Sequence, residues 1–274
     1  MEPTRPILRS GPLTVALRAL APAGVDEPPP LGPFRLLPRL LDLSGSVTLA
    51  GALSSPLVHP TPAELGGEDL VAELDAKLDE MERRLAPVFR GELPVSSAVR
   101  MRRELKNPGP SMDGGHPGVR AIRAPFSRYV HGNVFDVRTA LATFRLDLAP
   151  RIAALGDRAA RLEGLDAALS DATSRHIEVL VVRLLARLDA AFAEDAKEAL
   201  LALPRQFDVE HLEPWFAPSG WVPHYLTKVG DVIAALYHQE VSLLRALVRS
   251  ASGSDTSRSH AAPEARTAAS RRTS

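Results

Sequence analysis

Leu70, Leu74, Leu78, Met81, Leu85 and Val88 recur every three or four residues through a background of charge, the spacing of one face of an α-helix. A chain carrying such a stripe must bury it, so its fold is decided by the other helices it can offer. The polar face opens with Glu68, Asp69 and Glu73 and closes with Arg83, Arg84 and Arg90, which complements the helix dipole. Glu73/Lys77 and Glu80/Arg84 are spaced for ion pairs, and Pro87 and Pro94 bend or end the helix.

Longer stripes follow. Phe126, Val130, Val134, Val137, Leu141, Phe144, Leu148, Ile152 and Leu155 predict one long helix interrupted only by Pro150. Gly156 suits its C-terminus and Asp157 the next N-cap, after which Leu162, Leu165, Leu169, His176, Leu180, Leu184, Leu188 and Phe192 continue the spacing. So short a connection requires an antiparallel hairpin or a kinked continuous helix. A last helix is predicted from Pro223 to about Ser250, burying Leu226, Val229, Ile233, Leu236, Leu243 and Leu247, and a shorter one over Val95 to Lys106. The expected fold is all-α, an elongated antiparallel bundle of long amphipathic helices with disordered termini. Composition agrees: aromatic residues make up only 5%, which disfavours sheet, and 45% hydrophobic residues in 274 can fill a core.

The chain divides accordingly. Residues 1–30, ending in Glu27-Pro28-Pro29-Pro30, read as an extended or disordered arm. Residues 31–106 hold the N-terminal helices, among them a short one from Pro33 to about Leu43 and a capping box at Thr61-Pro62-Ala63-Glu64. Residues 107–123, with Asn107-Pro108-Gly109-Pro110 and four further helix breakers, read as a flexible loop. Residues 124–251 form the bundle core, and 252–274 form a disordered tail of serine, arginine and alanine without an apolar stripe.

Lys+Arg and Asp+Glu both number 33, so no overall field attracts a polyanion. The absence of cysteine removes disulfides, thiolate metal sites and a thiol nucleophile. Arg18 and flanking prolines spoil Leu13 to Pro22 as a secretory segment, and no apolar run reaches the roughly 18 residues of a membrane span. The expected location is cytoplasmic.

No catalytic, cofactor or metal residue is assigned. The eight histidines stand at 59, 116, 131, 176, 211, 224, 238 and 260, no two of them one helical turn apart, whereas helical metal ligands share a face. Gly109 to Gly118 lacks the Gly-Lys-Ser/Thr ending of a phosphate loop, and no Gly-x-Ser-x-Gly elbow occurs. An enzyme would need a pocket between helices, and convergence of His176, His224, Tyr225, His238 and Glu240 would be its sign.

Two clusters carry candidate interactions. Arg100, Arg102, Arg103 and Lys106, with Arg120, Arg123 and Arg128 across the loop, form the densest basic group. They could hold anions such as nucleic-acid phosphates, or could complement a helix C-terminus beside a solvated loop. Trp215, Phe216, Trp221 and Tyr225 gather both tryptophans into one short segment. This is either an exposed hot spot for a protein partner or a seal on the bundle end, and the second is favoured.

From Arg123 onward a further pattern emerges: Ala124-Pro125-Phe126-Ser127-Arg128-Tyr129, Ala140-Leu141-Ala142-Thr143-Phe144-Arg145, the run Ala160 to Leu169, Trp221, and a last helix with Glu240 and Leu243-Leu244-Arg245-Ala246-Leu247. Over about half the chain it resembles an uncharacterised bacterial all-helical family of the domain of unknown function 3348 type. Tyr237-His238-Gln239-Glu240 and the N-terminal third depart from that pattern. The resemblance implies products of operons that also encode envelope proteins related to proton-driven motor stators and peptidoglycan-binding outer-membrane proteins, hence a cytoplasmic accessory. It carries over no site residues. The leading expectation is a non-enzymatic helical scaffold or adaptor with protein partners, those envelope proteins included, and self-association is open to it through the Glu68 to Arg90 helix. The alternatives are a nucleic-acid-associated protein using Arg100 to Arg128, and an enzyme of a kind without sequence signature.

Overall fold

The computed structural model describes residues 43–54, 66–106, 112–113, 116–117, 119–204 and 208–253. The expected arm, the helix over 33–42, the capping box at 61–64 and the tail beyond 253 lie outside them. Seven helices occur among the described residues: α1 Leu43–Ser54, α2 Gly67–Phe89, α3 Val95–Lys106, α4 Val119–Ala153, α5 Asp157–Leu201, α6 Val209–Phe216 and α7 Trp221–Ala251. A two-residue antiparallel pairing, Met112–Asp113 with His116–Pro117, interrupts the 107–123 segment. The fold is an all-α helical bundle. Its longest member, α5, has 45 residues and at 1.5 Å per residue spans about 68 Å.

The centre is α7. Its buried residues, from Val222 through Tyr225, Val229, Ile233, Tyr237, Val241 and Leu244 to Val248, leave it apolar over much of its circumference, and it packs on α2, α4, α5 and α6. Such a helix has to be surrounded. α4 and α5 form the antiparallel hairpin, with Gly156 at φ 134° in the turn. The N-cap of α5 is Gly156, not Asp157, which is the first helical residue. Across the hairpin Ser127 donates to Asp189 at 3.1 Å and Arg145 Nε to Asp166 at 3.0 Å.

α2 lies antiparallel on α7. Leu70, Leu74 and Leu78 are each 1% exposed, and Arg245 Nε donates to Asp75 at 2.9 Å. Pro87 does not stop the helix, which runs on to Phe89 and closes in a Schellman turn: Gly91 N–H donates to Val88 O at 3.0 Å and Glu92 N–H to Pro87 O at 2.8 Å, with Gly91 at φ 68°. Leu70, Leu74 and Leu78 of the α2 stripe are therefore spent inside the molecule, with Met81, Leu85 and Val88 partly buried beside them.

Three further expectations are corrected. Helix α4 begins at Val119, inside the segment read as loop, because Ile122 (1% exposed) belongs to the core and its burial outweighs the backbone bond that Pro125 cannot make. α7 starts at Trp221, so Pro223 sits at its third position. Leu169, Leu180 and Leu243, placed on buried stripes, are 37%, 56% and 55% exposed.

Tyr237 joins α7 to α2 by donating its hydroxyl to Leu78 O at 3.0 Å. Burial, with the Glu82 and Asp79 carboxylates nearby, pushes this phenol from 10.0 up to about 12. A folded value above the unfolded one means that the stabilisation is complete below pH 10 and lost as pH rises toward about 12. Urea unfolding across that window is expected to show a stability loss that Tyr237→Phe reduces, the variant being about 1 kcal/mol less stable at neutral pH. Equal pH dependence in the two proteins would assign the alkaline loss elsewhere.

Candidate functional site

The aromatic segment lies at the α6/α7 corner. Asp208 caps α6, its carboxylate accepting from Glu210 N–H at 3.0 Å and His211 N–H at 3.4 Å. The short helix then swings Trp215 inward. Trp215 is 6% and Tyr225 2% exposed, while Phe216 and Trp221 are half-buried. Phe126 of α4 and Phe192 of α5 complete the group, with ring centroids 5.0 Å apart and each 5.4 Å from Trp221. Tyr225 lies 5.3 Å from Phe192, and burial pushes its phenol well above the usual range. Trp215 and Tyr225 cannot meet a partner without opening the bundle, so they do not form an exposed hot spot.

The basic cluster is largely tied up. Arg102 places its guanidinium 4.8 Å from the Phe216 ring centroid and pairs with Glu213 at 3.1 Å, so α3 clamps the outer side of the aromatic corner. Arg123 reaches Asp189 at 3.6 Å and Arg128 pairs with Glu104. The Arg120 side chain lies outside the described residues. Arg100, Arg103 and Lys106 are exposed and make no ion pair among the described residues. A cleft of about 280 Å³ between α3 and α4 is lined by Arg100, Met101, Glu104, Pro125, Arg128 and Tyr129. Its two guanidiniums are offset by the Glu104 carboxylate, leaving a single excess positive charge in the cleft.

The residues whose convergence would signal an enzyme do not all meet at one place. His224 and His238 stand fourteen positions apart on α7, about 21 Å, and His176 is on α5. His238 packs 6.1 Å from Phe89 and 5.4 Å from Tyr237, ring to ring. Among the described residues no three His, Asp or Glu side chains gather as metal ligands, and no helix there is long and apolar enough to cross a membrane.

A third surface escaped the sequence reading. The buried side of α5 runs Leu184, Leu188, Phe192, Ala196 and Leu200. On the opposite side, at about 100° per residue, stand Ala168, Ala172, Val179, Val182, Ala186 and Ala190. α1 packs on α5 here, close enough that a Cβ at Gly45 would lie 3.1 Å from that of Ala172. Beyond α1 the strip is exposed: Val179 is 45% and Val182 66% exposed, and Ala186 and Ala190 are exposed. The available signal was the run Ile177 to Val182, apolar at every position but Glu178, on a helix that has a bundle on one side only.

Fold and surface together define a helical bundle with a partly open apolar helix face. Compared with protein families, with curated proteins and with solved structures, the chain finds no match.

Proposed function

We propose that this chain is a non-enzymatic helical scaffold or adaptor that binds protein through the outer face of α5. The exposed strip Val179, Val182, Ala186 and Ala190 carries this reading. Valines held in water on a rigid helix gain free energy when another apolar surface covers them, about 1.5 kcal/mol or more for each fully buried side chain. The same helix already takes α1 on that side. The resemblance noted from Arg123 onward supports a cytoplasmic accessory of an envelope complex as the setting.

Val182→Glu tests the reading. Because Val182 is 66% exposed, its unfolding free energy is expected to stay within about 0.5 kcal/mol of wild type. Affinity capture from the native organism with wild-type bait is expected to enrich specific proteins, co-encoded envelope proteins among them, and Val182→Glu bait to lose them. Retention of the same proteins by a folded Val182→Glu bait would remove this face from the function.

A further inference from the structure

We infer that the uncovered strip of α5 takes the same strip of a second copy of this chain, the two helices running in the same sense; this rests on the reading of that face as a protein-docking surface. The charges flanking the strip favour such an occupant. With Val179 and Val182 as the first two contact positions of a heptad and Ala186 the next, Glu178 immediately precedes the strip on one flank and Arg183 follows on the other. Both are exposed and make no ion pair among the described residues.

Pairing in the same sense about a two-fold axis along the helices brings Glu178 to the partner's Arg183 and Arg183 to the partner's Glu178. Opposite sense would set glutamate beside glutamate and arginine beside arginine, which is repulsive. The pattern is self-complementary, as a two-fold interface requires. Ala186, at the third contact position, allows the backbones to approach, as Gly45 and Ala172 do where α1 is seated, and the seam ends at Asp189, which is bonded to Ser127.

α1 also sets the limits of the contact. It occupies the outer face at Ala172, so two copies meet from Glu178 to Ala186 and diverge toward the N-termini of α5. A contact confined to about three turns of helix buries less than the roughly 1,600 Å² of a standard interface, so association is expected to be weak and concentration-dependent.

Sedimentation equilibrium of the full chain over a wide concentration range tests this. The weight-average mass is expected to rise from 29.5 kDa toward twice that value. Glu178→Arg and Arg183→Glu are each expected to weaken association about ten-fold, since each replaces two attractions by two repulsions, and the double exchange to restore it. A monomer at every concentration overturns the inference, as does association that ignores all three variants or that the double exchange fails to rescue. A monomer whose protein capture is still abolished by Val182→Glu would sink the self-pairing alone and leave the docking face standing.

Discussion

Phe192→Ala is expected to lower the free energy of unfolding by about 3 to 5 kcal/mol, a large share of the total for a domain of this kind. Phe192 is 0% exposed and lies between Phe126, Trp221 and Tyr225, at centroid separations of 5.0, 5.4 and 5.3 Å. It is where α4, α5 and α7 meet, so the cavity left behind is walled by three helices that cannot all close on it. Urea unfolding followed by tryptophan fluorescence reports on the neighbouring Trp215 and Trp221 directly. Phe126→Ala is expected to be similar, and the double variant to fall short of the sum, because the second ring leaves an enclosure already opened. A loss below about 1.5 kcal/mol for Phe192→Ala would show that the corner relaxes, and would weaken the view that the aromatic segment serves as the seal of the bundle.

Gly230→Ala is expected to cost about 3 kcal/mol although it adds one methyl group and replaces a poor helix former with the best. A Cβ at Gly230 would stand 2.4 Å from Phe89 O and 2.7 Å from Val88 O. These are backbone atoms of the last turn of α2, which the Schellman turn holds in place, so relief requires α2 to move off α7. Gly132→Ala is the matched control, with no heavy atom within 4 Å of its added Cβ. It is expected to stabilise α4 by about 0.5 to 1 kcal/mol. Opposite signs in urea unfolding would establish the close approach of α2 and α7, and equal signs would contradict it.

The parts of this fold that were legible are those in which charge marks the outside. Leu70, Leu74 and Leu78 stand among acidic and basic residues, so their spacing points one way, and each is 1% exposed. In the last helix Leu243 and Leu244 are adjacent leucines, and only the placement of the helices around α7 decides that Leu244 is buried at 5% and Leu243 exposed at 55%. Over Ile177 to Val182 every residue but Glu178 is apolar, so the spacing of apolar residues cannot choose a face. α1 was invisible for a different reason. Gly45, Gly51 and its serines give it little intrinsic preference for helix, and it gains its stability by lying on α5. Both candidate clusters were recognisable as residues, yet nothing along the chain places Arg102 over Phe216, because that contact exists only once α3 and α6 are side by side.

The hydrogen bond from Tyr237 to Leu78 joins positions 159 residues apart, and that separation becomes a delay during synthesis. At about 5 to 20 residues per second, a ribosome needs roughly 8 to 32 seconds after Leu78 to add Tyr237. Throughout that interval Leu70, Leu74 and Leu78 have been made while the α7 surface that will cover them has not. The nascent α2 is thus a natural client for chaperones that shield apolar segments, until the C-terminal helix arrives to take their place.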